Sequence, residues 1–237
     1  MNTVEVCIAP PLFNSFNQKE KAIVIVDIFR ATSIICALFM NGASKVIPVD
    51  SLEIAKEYKE KGFLVAAERN GKKIDFADFG NSHFEFFPEK INNKTIVYST
   101  TNGTQTINKC KENEIVLIAS FLNLSAMADY LIRLKKDVII LCSGWEGDFC
   151  LEDSVFAGAL IEKLSVSGVF SLNNDAAISS LDHWNLARLN LEDYLKKSFQ
   201  YNRLVGLGMI DIIKYCLAID TSELLPAFKE NCLILNK

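Results

Sequence analysis

The stretch Ala22-Ile-Val-Ile-Val-Asp-Ile-Phe-Arg-Ala-Thr-Ser-Ile-Ile-Cys-Ala-Leu-Phe-Met-Asn41 decides the fold. Its opening Ala22 to Val26 is apolar and rich in β-branched side chains, the pattern of a strand buried on both faces. Asp27 ends that strand, Arg30-Ala31-Thr32-Ser33 makes a short polar turn, and a helix-length apolar segment runs to Asn41-Gly42. Gly42 supplies the left-handed stop. Strand, tight turn and helix is a geometry that points backbone N–H groups at an anion. Here a guanidinium and two hydroxyls add directed bonds. Asp27 falls at the carboxyl end of the strand, where α/β sheets place ligands, and a divalent cation could bridge it to an anion. A plainer reading makes Thr32 or Ser33 a helix cap and Arg30 the ion-pair partner of Asp27.

Working outward, the same strand–helix rhythm repeats. Val4 to Ala9, Lys45 to Val49, Phe63 to Ala67, Lys94 to Ser99, Glu114 to Ala119 and Asp137 to Cys142 read as further strands. Helices are expected over Leu52–Lys61, Gln105–Cys110, Leu122–Lys135 and Glu152–Leu164. From Ser165 the pattern turns helical, with Asp175–Leu181, Leu186–Lys197 and Leu204–Ala218. Alternation of this kind predicts an α/β fold: three layers, α/β/α, around a mostly parallel or mixed sheet, with a helical C-terminal part. The whole of 1–237 reads as one domain, subdivided if anywhere near 165. Four strand ends carry polar or glycine-bearing loops, at Asp27, Glu68-Arg69, Thr100-Thr101-Asn102-Gly103-Thr104 and Ser143-Gly144-Trp145-Glu146-Gly147. On one sheet edge such loops converge on a single cleft.

Bulk properties narrow the function. The 237 residues carry a net charge of -4, with 50% hydrophobic and 23% charged side chains. With no basic surplus, nucleic acid is excluded as the main partner. No apolar run reaches the roughly 18 residues of a membrane span, and Met1-Asn2-Thr3-Val4-Glu5 lacks a signal peptide's regions. The seven cysteines form no C-x-x-C pair and lie mostly in apolar segments, as reduced thiols of a cytoplasmic protein do.

The familiar phosphatase and hydrolase signatures are missing. Ile28 and Phe29 follow Asp27, so the second Asp of a haloacid-dehalogenase site is not there, and no cysteine precedes an arginine at phosphatase spacing. There is neither a P-loop nor a G-x-S-x-G elbow. The two histidines, His83 and His183, have no partner at metal-ligand spacing. A bound metal would rest on oxygen ligands, which favours Mg²⁺ over Zn²⁺. The candidates are Asp27, Glu68, Glu146, Glu152 and Asp153. Glu152 and Asp153 also suit the first turn of a helix for dipole reasons alone. Glu146, in a loop between Gly144 and Gly147, lacks that explanation.

At these residues the chain resembles the 2-phosphosulfolactate phosphatase family. The resemblance rests on Val26-Asp-Ile-Phe-Arg-Ala-Thr-Ser33, Thr100-Thr-Asn-Gly-Thr104, and Gly144-Trp-Glu-Gly147 followed by Leu151-Glu-Asp153. Asp78-Phe-Gly-Asn-Ser82, Asp175-Ala-Ala177 and the ordered Ser198, Gly208, Asp211, Cys216 and Pro226 extend it over nearly the whole chain. It implies Mg²⁺-dependent hydrolysis of (2R)-2-phospho-3-sulfolactate to 3-sulfolactate and phosphate, a step of coenzyme M biosynthesis. It points to Asp27, Arg30 and Glu146 as catalytic, with Asp27 open between metal ligand, base and nucleophile. Arg30, Ala31, Thr32, Ser33, Arg69, Thr100, Thr101, Asn102, Gly103 and Thr104 would bind the substrate.

Departures from the family pattern fall at Ala67, Asn70, His83, Gln105 and Ser143; Gln105 stands where an arginine is usual. These bear on substrate identity more than on reaction class. The rivals are a phosphatase for another small phosphorylated acid and a non-catalytic anion binder. A homo-oligomer is compatible with so much apolar sequence.

Overall fold

The computed structural model describes residues 1–236. Its strands are β1 (Asn2–Cys7), β2 (Ala22–Val26), β3 (Lys45–Pro48), β4 (Leu64–Arg69), β5 (Lys72–Lys73), β6 (Thr95–Ser99), β7 (Ile115–Ala119), β8 (Val138–Cys142), β9 (Phe170–Leu172), β10 (Pro226–Lys229) and β11 (Cys232–Leu235). The helices are α1 (Ala31–Met40), α2 (Leu52–Glu60), α3 (Pro88–Ile91), α4 (Gly103–Lys109), α5 (Leu124–Leu134), α6 (Leu151–Val166), α7 (Asp175–Ala187), α8 (Leu191–Leu195), α9 (Phe199–Gly206) and α10 (Ile210–Cys216).

The strands form one mixed sheet in the order β5-β4-β6-β3-β11-β10-β7-β2-β8-β1-β9. Strands β4, β6 and β3 are mutually parallel, and so are β7, β2, β8, β1 and β9. The C-terminal hairpin β10–β11 bridges the two groups through antiparallel contacts to β7 and β3. Three successive antiparallel steps reverse the strand direction, so the groups run in opposite senses. The fold is therefore α/β with a mixed sheet.

Burial of β2 is complete on both faces. Ala22, Val24 and Val26 join a core with residues of α5, α6 and α7, while Ile23 and Ile25 join another with α1. Alternate side chains of one strand thus enter opposite layers. Helix α1 is buried from Ala31 to Phe39, as a helix apolar all round must be. It ends as expected: Gly42 adopts φ +90°, its N–H donates to the Phe39 carbonyl, and Ala43 N–H donates to the Leu38 carbonyl. That is a Schellman closure.

The helical C-terminal part differs in detail. Leu204–Ala218 is two helices, α9 and α10, broken where Gly208 takes φ +73°. The expected Leu186–Lys197 helix is split by an Asn190 cap that accepts from Asp193 N–H. Trp184, Leu195, Tyr201, Leu204 and Ile212 from these helices enter the same core as β2 and α6.

Candidate active site

Asp27 follows the last residue of β2, and its carboxylate turns back onto the start of α1. Ala31 N–H donates to its Oδ1 at 3.1 Å, and Thr32 N–H to its main-chain carbonyl. The first N–H groups of α1 thus serve Asp27 itself. Thr32 and Ser33 are wholly buried. The Thr32 hydroxyl donates to the Asp27 carbonyl and accepts from the Asp27 N–H, while that of Ser33 donates to the Ile28 carbonyl. These hydroxyls shape the turn and cap nothing; residue Arg30 holds the cap position.

Arg30 does not pair with Asp27. Its guanidinium donates to the Asn81 carbonyl at 2.8 Å and stands 3.8 Å from Glu68, both side chains being nearly inaccessible. Glu68, the last residue but one of β4, accepts from Gly71 N–H at 2.7 Å, from Thr101 N–H at 3.0 Å and from the Thr101 hydroxyl at 3.1 Å. It thereby ties the loop after β6 to the loop after β4. In that loop Thr100 and Thr104 bond to each other through hydroxyl and backbone, and Gly103 packs against Ala31 and Asp27.

Asp27, Arg30, Ala31, Glu68, Thr100, Thr101 and Asn102 together line a cleft of about 20 Å³, joined by Phe29, Asn81, Trp145 and Arg203. That volume holds about one water or one ion. Seven residues named from the sequence therefore meet at one place. Arg203, on α9, is the chief residue that sequence reasoning missed. Its guanidinium lies 4.1 Å over the Trp145 ring. No motif surrounds it; only its position in an otherwise anonymous helix brings it to the cleft.

The remaining candidates sit apart from the cleft lining. Arg69 donates to the Glu68 carbonyl and to the Ser99 hydroxyl. Asp153 accepts from Ile28 N–H at 2.9 Å and Gly144 N–H at 3.0 Å, joining the turns after β2 and β8. Glu152 accepts from the Ser198 hydroxyl at 2.7 Å, which fixes α6 to the start of α9. Glu146 is exposed in a left-handed conformation (φ +51°), its N–H donating to Asn102 Oδ1. Its side chain faces the two larger pockets that flank the cleft.

Electrostatically the site is an excess of buried carboxylate. Burial pushes Asp27 up to about 7, and the charges of Glu68 and Glu152 add to the rise, against the hydrogen bonds from Ala31 and Arg30 N–H. Burial, then Asp27 and Glu152, drive Asp153 well above the usual carboxylate range, and burial raises Glu152. Among the described residues no three of His, Cys, Asp and Glu are grouped closely enough to cage a metal ion. A cation at Asp27 would therefore take few protein ligands, which suits Mg²⁺, an ion that keeps several waters and uses one or two carboxylates beside substrate phosphate. All seven cysteines are free and six are buried. No described helix is long and apolar enough to cross a membrane.

A family model described as 2-phosphosulpholactate phosphatase matches residues 8–231. A protein of Caldanaerobacter subterraneus subsp. tengcongensis named "Probable 2-phosphosulfolactate phosphatase" is 39% identical over 224 residues, 92% of each chain. Proteins of the same name from Thermotoga maritima (40% identical; 90% of this chain, 92% of that one) and Clostridium perfringens strain SM101 (35%; 95% and 93%) are similar throughout. With a match of this extent, the chain belongs to the 2-phosphosulfolactate phosphatase family.

Proposed function

We propose that the chain is a phosphoric monoester hydrolase that converts 2-phospho-3-sulfolactate and water to 3-sulfolactate and phosphate. The observation that carries this reading is the Asp27 cleft. A carboxylate whose proton affinity lies near neutrality faces two guanidinium groups, Arg30 and Arg203, and a hydroxyl-rich loop. The names of the relatives, "Probable 2-phosphosulfolactate phosphatase", support that choice of substrate.

Asp27 is the essential carboxylate. Near neutral pH it can exchange a proton with water or accept a cation, and its position at the start of α1 is fixed from two sides by Ala31 and Gly103. A Mg²⁺ ion, taken by Asp27 with Glu68 across the cleft, would offset the charge on the phosphoryl oxygens and on the carboxylates together. Arg30, held by Asn81 and Glu68, is pre-aimed and loses little freedom on meeting an anion. Arg203 stacks on Trp145 at the side of the cleft and supplies a second cation to the ester. Preorganised charge of this kind is what phosphoryl transfer requires. Buried reduced thiols suit a cytoplasmic enzyme.

The test is phosphate release from 2-phospho-3-sulfolactate with Mg²⁺ and with EDTA, beside a panel of other phosphorylated small acids. Turnover of the sulfolactate ester far above the rest supports the reading. Preference for another ester would shift the substrate, and binding without phosphate release would leave an anion binder.

A further inference from the structure

Tyr98, in β6, is the bulkiest of the wholly buried side chains, and its hydroxyl donates to Asn81 Oδ1 at 2.5 Å. The strand register explains the reach. Tyr98 pairs with Ala66 of β4, and Ala66 bridges in turn to Phe79. Two strand spacings, roughly 9–10 Å, thus separate Tyr98 from the segment that carries Asn81. Tyr98, Ala66 and Phe79 enter the same core. Ala66 puts only a methyl group on that face, which leaves the phenol room to extend across it. A buried phenol needs a hydrogen-bond partner in any case, so the bond alone assigns no role. What distinguishes it is the residue it holds.

Asn81 lines the Asp27 cleft, and its main-chain carbonyl accepts from the Arg30 guanidinium at 2.8 Å. Glu68 stands 3.8 Å from Arg30, beyond hydrogen-bond reach, and the Met209 sulfur at 3.4 Å is a weak acceptor. The Asn81 carbonyl is therefore the oxygen that fixes the direction of the guanidinium. Before it in the chain, the Phe79 carbonyl accepts from Ala67 N–H, and Gly80 N–H donates to Glu85. Among the described residues the hydrogen bonds of Asn81 itself are two, one from Tyr98 and one from Arg30. Burial, and after it the charge of Asp27, raise the Tyr98 phenol well above its ordinary range, so it keeps its proton and remains a donor.

We propose that Tyr98 is a positioning residue: through Asn81 it fixes the Arg30 guanidinium at the angle from which the cleft grips an anion. Tyr98 is not part of the cleft lining and acts only through these two residues. The chain Tyr98–Asn81–Arg30 runs from β6 to the turn after β2, so a hydroxyl of one strand group aims a cation of the other. A guanidinium anchored beforehand loses less freedom on meeting an anion, and that saving is what the hydroxyl contributes. The assignment rests on the phosphatase reading for turnover but not for anion binding.

The test compares wild type, Tyr98→Phe, Arg30→Ala and the double variant. Each is read by thermal melt, by calorimetric binding of inorganic phosphate, and by steady-state phosphate release from 2-phospho-3-sulfolactate with Mg²⁺. Tyr98→Phe keeps the ring in the core and should melt cooperatively, at a lowered temperature because Asn81 Oδ1 loses its donor. It should weaken phosphate binding about tenfold and lower kcat/KM by a similar factor. In the Arg30→Ala background the same change should cost binding and turnover nothing further. If Arg30→Ala does not melt cooperatively, Arg30→Lys serves as the background; if Tyr98→Phe does not, Asn81→Ala cuts the same bond from its other end. A hydroxyl with a merely structural role would take the same factor from both backgrounds, which would overturn the proposal. Wild-type phosphate affinity and kcat/KM in Tyr98→Phe would overturn it too, even if the ester is hydrolysed. No phosphate release by the wild type, with phosphate binding weakened in Tyr98→Phe, would overturn the phosphatase reading and keep the positioning role. A wild type that neither binds nor releases phosphate would overturn both.

Discussion

Gly103 stands so close to Asp27 that a Cβ placed on it would lie 2.8 Å from Asp27 Oδ2 and 2.3 Å from the Ala31 Cβ. Its backbone φ is not in the left-handed region, so the demand for glycine is one of space alone. Gly103→Ala must push the start of α4 away from the start of α1. Overpacking of this kind costs roughly 1–3 kcal/mol. A shift near 1 Å at the reacting centre costs on the order of 100-fold in rate. The variant should fold with a lowered melting point and lose turnover out of proportion to that loss, which thermal melts beside phosphate release will read.

Stability should depend on pH in a direction opposite to that of most carboxylate-bearing proteins. Asp27 rises from 3.8 when unfolded to about 7 when folded, so the native state binds the proton more tightly. Its stabilising contribution is complete below about pH 4 and is lost as pH rises through 7. The rise corresponds to roughly 4 kcal/mol at most. Glu152 and Asp153 are shifted in the same direction. In EDTA the melting point should fall between pH 5.5 and 8, and Asp27→Asn should flatten that fall. Adding Mg²⁺ at pH 8 should raise the wild-type melting point and leave that of the variant in place.

Glu68 accepts three hydrogen bonds and faces Arg30 in an interior that neither side chain leaves. Removing one partner of a buried pair costs about 3–5 kcal/mol because the other charge stays behind. Glu68→Ala should lower the urea midpoint by a corresponding amount, with Glu68→Gln intermediate. Equal midpoints for all three proteins would show that this pair does not organise the cleft.

Arg203 lies over the Trp145 ring, 4.1 Å from its centroid, and contributes a cation at the edge of the cleft. Arg203→Ala should raise KM for the phosphoester about tenfold or more. Arg203→Lys should restore little, because an ammonium neither stacks on the indole nor forks toward two phosphoryl oxygens. Steady-state kinetics on the three proteins decide this.

How much of this was legible in the sequence varies with the range of the interaction. The β2–α1 unit was readable because Ala22 to Phe39 is almost continuously buried, which the apolar run states directly. The strand-end loops at Glu68 and Thr100 to Asn102 were readable as polar loops after strands. The expectation that they share one parallel-sheet edge with Asp27 is corrected: β4 and β6 run opposite to β2 and β8, and the loops meet Asp27 from the other strand group. Arg203 was not, since its place depends on how α9 is set against Trp145, which lies in a distant loop of the sequence. Nor was the hairpin β10–β11, whose short strands find their role by bridging β7 and β3. The hydroxyls of Thr32 and Ser33 suggested ligand contacts, yet local backbone acceptors take them first. The separation of Asp153 from the cleft lining likewise depends on the Ile28 and Gly144 N–H groups that it clamps.

The central claim is that Asp27 carries the chemistry of a phosphoester cleft. It is tested most directly by the rate of phosphate release from 2-phospho-3-sulfolactate with Mg²⁺, wild type against Asp27→Asn, each checked for a cooperative melt. Wild-type turnover with loss of nearly all of it in a folded Asp27→Asn protein is the predicted result. Comparable rates in the two proteins would contradict the account.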